Sequence, residues 1–370
     1  MMDDLLIIND SGALLYNWHG INAKEDTRDD LLSGFLTAID NFATIERGED
    51  IKSLKLKETT IIFEKSDKTL QKLNFVITTK REDLRELLHA LVHDIMDRFT
   101  ELYYEELNKE FDGEITKYKK FNEYVAEAIS SYGLDLLNEA IETIDEDNPL
   151  KSITYLDTND GKIFYIHAKQ YLNKEKVSYL VSLLSNSARL LVQDALRKNF
   201  SRIELKTVKN EILSIEPKEK LTIIKQFQYL PIIETLSLSL KKITEKGKFV
   251  KKLKKLDENL HELNSLDKIF HIFIVDLMGT ILYSRIDDEL VNFSSYMPEM
   301  ISLVTSSKKV CEGIYSRELF SSVVKVNGLC FAFLNLIKYL LVLVIEDDET
   351  VNTVSIERAA LDIVDLIKSL

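Results

Sequence analysis

Three times along this 370-residue chain an apolar run meets a short break containing glycine, and a second run follows at once. The first instance is Leu5–Ile8, Asp10-Ser11-Gly12 and Ala13–Trp18. The second is Ser152–Leu156, Asn159-Asp160-Gly161 and Lys162–His167. The third is Ile269–Val275, Met278-Gly279 and Thr280–Ser284. Glycine supplies the positive φ of a tight connection, so each instance reads as a β-hairpin. A recurring unit constrains the fold more than any single motif.

Each hairpin opens a segment of the same design. In the first, Asp29 or Asp30 caps a helix whose Leu31, Leu32, Phe35, Leu36, Ile39, Phe42 and Ala43 read as one apolar face. Strands follow at Ile51–Leu56, Thr60–Glu64 and Leu73–Thr78, then a long helix from about Glu82 to Leu107 and a helix-like stretch from Ile115 to Ile144. The second segment gives a helix carrying Val177, Val181, Leu184, Ala188, Leu191 and Leu196. Its strands are Ile203–Val208, Glu211–Ile215 and Leu221–Phe227, followed by a helix from about Pro231. The third gives a helix capped by Ser294 or Ser295, with Met297, Met300, Ile301 and Val304 inward. Strands Leu319–Val326, Leu329–Leu334 and Tyr339–Ile345 and a final helix Val354–Leu370 complete it. The order is β-β-α-β-β-β-α throughout. It predicts an α+β chain of three domains, 1–148, 149–266 and 267–370, each a five-strand antiparallel sheet with packed helices. The first domain carries an extra C-terminal helix and the second a lysine-rich one.

Composition excludes several classes. A net charge of −13 argues against generic nucleic-acid binding, which needs excess Lys and Arg. Two cysteines, Cys311 and Cys330, form neither a disulfide framework nor a zinc set, and fit a reducing compartment. The start MMDDLLIIND is acidic where an export signal is basic, so the sequence predicts a cytoplasmic protein. The apolar stretch Leu329–Ile345 is short for a membrane span, has Asn335 and Lys338 near its middle, and reads as two buried strands.

Candidate chemistry is sparse. FIVDLMGTIL at 273–282 resembles the first motif of haloacid-dehalogenase phosphatases, with Asp276 at the nucleophile position. Met278 stands where that motif has a carboxylate and cannot transfer a proton; Asp347-Asp348 could supply only metal ligands. His89 and His93 lie one turn apart, but Ala90 replaces the Glu of a zinc-protease helix. No GxxxxGK[ST] or GxGxxG loop occurs, and no cofactor is expected. Residues 241–256 concentrate lysines beside Phe249, Val250, Leu253, Leu256 and Leu260 at helical spacing. One reading is a linker helix packing its apolar stripe on the second domain. The other rests Lys248, Lys251, Lys252, Lys254 and Lys255 on an anionic membrane, peripherally.

The element order, with LLIINDSGALLYNW, LLSGFLTAIDNFA, IKSLKLKETTIIFEK and LNFVITTKREDLRELLHALVHDIMDRF, resembles the first domain of tri-longin proteins of the Mon and Fuzzy type, within the longin/roadblock superfamily. The resemblance covers most of residues 3–107; later segments match in order only, and the long inserts common in that family are missing. It implies a non-enzymatic subunit of an exchange factor for a small Rab-like GTPase in membrane trafficking. It further implies pairing with a second three-unit chain or with itself, the paired first units seating the GTPase. The alternative is a longin scaffold or adaptor without exchange activity. By the resemblance, the seat involves the outer face of the first helix, Ser33, Gly34, Thr37, Asp40 and Asn41, and the edge bearing Lys52, Lys55 and Lys57. Gly34 would allow close approach of another backbone, and the lysines would guard the edge when alone.

Overall fold

The computed structural model describes residues 2–20, 29–134, 137, 150–228, 251–260, 268–286, 293–336, 338–347 and 353–369. The chain divides into two compact units, Met1–Thr143 and Ile144–Leu370. It is α+β with antiparallel sheets, one of five strands and one of ten.

In the first unit β1 (Asp4–Asn9), β2 (Leu14–His19), β3 (Ser53–Lys55), β4 (Thr60–Ser66) and β5 (Leu73–Thr79) lie in the order β2-β1-β5-β4-β3. The inner strand β1, between β2 and β5, is apolar without alternation because both its faces are covered. Leu6 and Ile8 join Val76, Phe63 and Leu36 in the core beneath α1 (Asp29–Arg47). On the opposite face Phe75 meets Phe99 of α2 (Arg85–Leu102) at 5.8 Å between ring centroids. The expected long helix is broken: a 3-10 turn, Glu82–Leu84, precedes α2, and Tyr103 ends it. Tyr16, Tyr103, Tyr118 and Phe121 gather around Phe99, and the Tyr16 hydroxyl donates to Asn122 at the start of α3 (Asn122–Ser131).

In the second unit β6 (Leu150–Asp157), β7 (Ile163–Ala168), β8 (Phe200–Thr207), β9 (Glu211–Pro217) and β10 (Leu221–Gln228) repeat that order. So do β11 (Ile269–Asp276), β12 (Ile281–Ile286), β13 (Leu319–Val326), β14 (Leu329–Leu336) and β15 (Tyr339–Glu346). The two halves are not separate. β8 pairs antiparallel with β13, from Leu319↔Thr207 to Val326↔Phe200. The expectation of three five-strand sheets is therefore corrected to two sheets. The third strand of each half has one unpaired row of backbone groups, and joining the two edges satisfies both. α4 (Lys174–Leu196) and α5 (Met297–Tyr315) share one core over this junction, and α6 (Thr353–Ser369) packs on the other face. Lys206 of β8 meets Glu357 of α6 at 2.7 Å, tying the halves together on that face.

The N-cap of α5 is Tyr296; Ser294 and Ser295 fall in the 3-10 turn before it. Leu329–Ile345 forms β14 and β15, paired from Leu329↔Glu346 to Leu336↔Tyr339. Among the described residues no helix is long and apolar enough to cross a membrane. The expected boundary near 266, the helix from Pro231 and the end of the Ile115–Ile144 stretch lie outside the described residues.

Candidate partner-binding surface

The hairpin glycines position the first helix of each module. Gly12, at φ +88°, brings its carbonyl to the Ser33 hydroxyl, which donates at 3.3 Å. Gly161, at φ +71°, accepts from Ser178 at 2.6 Å in the same way, and Gly279 lies under Met297 and Ile301. Ser33, Ser178 and Met297 thus occupy one position in three helices. Stepping along from it, Leu36, Val181 and Met300 are equivalent and all buried. Phe42, Ser187 and Ser306 are equivalent too.

On α1 the apolar residues form two stripes. Leu32, Leu36, Ile39 and Ala43 turn toward the sheet, with Leu36 wholly buried and the others half-buried. Leu31, Phe35, Phe42 and Ile45 are exposed by 75%, 56%, 63% and 79%, and Ala38 is exposed between them. Each stripe has the same alternation of four and three residues, and one residue, or about 100°, separates them. The sheet can cover only one. The single inward face expected for α1 is therefore corrected: Leu31, Phe35 and Phe42 point out.

The correction reaches the expected partner residues. Ser33 is 1% and Asp40 5% exposed, both turned inward. Thr37 is half-buried and donates to the Ser33 carbonyl. Asp40 accepts from Lys65 at 2.9 Å, and Lys65 also holds Asp50. Burial would lower the Lys65 pKa, but Asp50 and Asp40 outweigh it and raise it. Gly34 and Asn41 are exposed, and a Cβ at Gly34 would meet nothing within 4 Å. On the sheet edge Lys52, Lys55 and Lys57 are exposed. Lys55 is ion-paired to Glu82, and Lys57 lies 3.8 Å from Glu58 beyond the end of β3. The start of α1 is pinned by His19, whose ring nitrogens lie 2.9 Å from both Asp4 and Asp29. Burial lowers the His19 pKa, but the two carboxylates outweigh it and the net shift is upward.

The second unit displays what the equivalent surface does when partnered. The Ser187 hydroxyl lies 3.0 Å from that of Ser306, and Leu180 packs so close to Gly313 that a Cβ there would sit 2.6 Å from it. Residue numbers rise on one helix as they fall on the other, so α4 and α5 cross antiparallel. Equivalent positions meet at Ser187 and Ser306, as about a local two-fold axis. The helix contact lies over the β8–β13 junction and is one continuous core.

The other residues singled out have structural roles. Asp276 accepts backbone N–H bonds from Met278 and Thr280 at 3.0 and 2.9 Å, closing its hairpin. Asn9 and Asp157 accept in the equivalent turns. His89 and His93 flank Glu64 at 3.7 and 3.8 Å. Among the described residues no group of three His, Cys, Asp or Glu side chains is placed to hold a metal. Cys311 and Cys330 are buried, and burial pushes both thiols up to about 12. Leu253, Leu256 and Leu260 are buried with Ile269 and Ile363 in the core of the second half of the ten-stranded sheet. The expected packing of that stripe on the second domain is corrected accordingly. Lys251, Lys254 and Lys255 are exposed and Lys252 is half-buried, while Lys248 lies outside the described residues.

No family model matches the sequence, and no curated protein matches it significantly. Among solved structures the chain is similar to the crystal structure of an uncharacterized protein from Mycobacterium tuberculosis. The match covers 96% of this chain and 99% of that one, at 10% identity and a TM-score of 0.14. A similarity at that level carries no argument.

Proposed function

We propose that the chain is a tandem of three longin/roadblock-like units that regulates a small Rab-like GTPase without itself performing covalent chemistry. One observation carries the reading. All three modules share one strand order, and two of them are joined through the first helix and third strand, while the first module turns an apolar helix face outward. A surface of several large exposed apolar side chains in one stripe marks an interaction site. Exchange requires only that such a platform bind the nucleotide-free GTPase better than the loaded form, since a ligand shifts an equilibrium by its differential affinity. The exposed lysines Lys251, Lys254 and Lys255 could add a purely electrostatic contact with an anionic membrane, because the leucines beside them are already buried.

The test is a pull-down of small GTPases with and without nucleotide, followed by release of a fluorescent guanine nucleotide. Preference for the empty form and faster release support the exchange reading. Equal capture of both forms without faster release supports the second reading, a scaffold. That reading is favoured by the α4–α5 contact, where the same elements serve assembly alone.

A further inference from the structure

The three modules share one cleft, between the first helix and the sheet, and fill it differently. The positions around it correspond one to one. Seven residues on from Ser33, Ser178 and Met297 stand Asp40, Ser185 and Val304. Each module's first strand carries a bulge at the same place. The residue after it, Ile8, Leu156 or Val275, pairs with Asn74, Thr222 or Leu340. Those three pair in turn with Lys65, Pro217 and Asn335.

In the first module an ion pair closes the cleft, the inward Asp40 carboxylate accepting from Lys65 at 2.9 Å. In the third, Val304 and Leu340 fill it as part of the apolar core. The second module has neither device. Ser185, Thr222 and Pro217 carry no charge and little bulk, and a cavity of about 540 Å³ opens among them. That volume lies within the roughly 300–1,000 Å³ of small-molecule sites.

The lining states what such a molecule must present. The floor is apolar, with Leu156, Val181 and Phe200 buried beneath it. The wall is neutral and polar: eight of the lining side chains are hydroxyls or amides, Ser182 and Asn186 of α4 among them, and these groups both donate and accept. Arg189 and Lys218 are matched by Asp157 and Glu219, so no net charge selects an ion. Part of the wall is already set. Arg189 donates to Asn186 at 3.1 Å, Gln193 to Asn199 at 3.2 Å, and Asp157 accepts from the Asn159 N–H at 2.7 Å. A fitting ligand has many groups that both donate and accept, on a body with an apolar face. A sugar ring has both, hydroxyls at its edge and C–H groups on its face.

We propose that this cavity binds a neutral mono- or disaccharide, its hydroxyls bonded to the amides and hydroxyls of α4 and its C–H face on Leu156, Val181 and Phe200. The serine and threonine that make room for it are the positions at which the second module departs from the other two. The cavity lies wholly within the second unit, so its occupancy is tested independently of GTPase exchange.

The experiment titrates the full chain with neutral mono- and disaccharides, with nucleosides, whose ribose offers the same hydroxyls, and with the phosphorylated form of each. Binding is read by saturation-transfer NMR and calorimetry. At least one neutral sugar should bind, more tightly than its phosphate and than any nucleoside. Ser185→Val with Thr222→Leu copies the filling of the third module; it should weaken that sugar at least about ten-fold while holding or raising the thermal midpoint. Asn186→Leu, at an exposed position where folding is not at stake, should weaken it about five-fold, the worth of one neutral hydrogen bond. Lys218→Gln should change it less than about two-fold. No binding by any neutral sugar, tighter binding of the phosphates or the nucleosides, or a sugar affinity that survives both the filled cavity and Asn186→Leu would each overturn the proposal.

Discussion

The Lys206–Glu357 pair offers a quantitative check on how the halves of the ten-stranded sheet are held. The Glu357 side chain is 1% exposed, and that of its partner Lys206, 2.7 Å away, is 13% exposed. At an effective dielectric of about 20, unit charges at that distance attract by roughly 6 kcal/mol. Taking each ion out of water costs several kcal/mol, so the attraction is largely offset. Glu357→Leu removes the attraction and strands the Lys206 charge against α6, with an expected loss of about 3–5 kcal/mol. Lys206→Met alone strands the carboxylate and should cost a similar amount. Lys206→Met with Glu357→Leu removes both charges and should fall within about 1 kcal/mol of the parent. Hydrogen exchange of peptides covering β8 and α6, read as local opening free energies, measures all four corners of the cycle. If the double variant loses as much as the two single variants together, the pair is not the coupled, desolvated unit that its burial implies. The cycle has a pH counterpart. Burial raises the Glu357 pKa above its ordinary 4.5, with Lys206 only partly opposing. A raised carboxyl pKa contributes stability that is complete below the unfolded value and is lost as pH rises through the folded one. Glu357→Gln should abolish that decline.

Three other perturbations test the local arguments. His19, raised by Asp4 and Asp29, stabilises the start of α1 below pH 6.5 and loses that contribution as pH rises through its folded value; urea midpoints from Trp18 fluorescence should show the decline, and His19→Gln should flatten it. Gly161→Ala forces a left-handed backbone on alanine at about 1–2 kcal/mol and drives its Cβ to 2.6 Å from Ser182 Oγ. Thermal unfolding should show at least that loss, and more than Gly328→Ala, where a Cβ meets nothing within 4 Å. Asp276→Asn should be nearly neutral, since Asn9 fills the equivalent turn, while Asp276→Ala should cost about 1 kcal/mol in the same assay.

Local physics made the repeat legible. A hairpin announces itself through a positive-φ glycine between two apolar runs, and that requirement is met within a few residues at Gly12, Gly161 and Gly279. The strands and first helices of all three modules follow from periodicities of the same local kind, and so does the α+β class. The orientation of α1 was not legible from the same signals. Its apolar positions make two seams 100° apart, and composition cannot say which one the sheet takes. The spacing of Leu31, Phe35, Ala38, Phe42 and Ile45 was visible, yet only the packing of Leu36 and the hydroxyl of Ser33 beneath Gly12 decided that it faces solvent. The fusion of two five-strand sheets was equally hidden. β8 and β13 join through backbone N–H and carbonyl groups that every residue carries, so no side-chain pattern marks an edge as paired or free. What the sequence determined by itself was the module and its three copies. Which surfaces those copies spend on each other, and which one they leave outward at Phe42, only the tertiary structure decided, because that depends on edges and faces meeting across more than a hundred residues of chain.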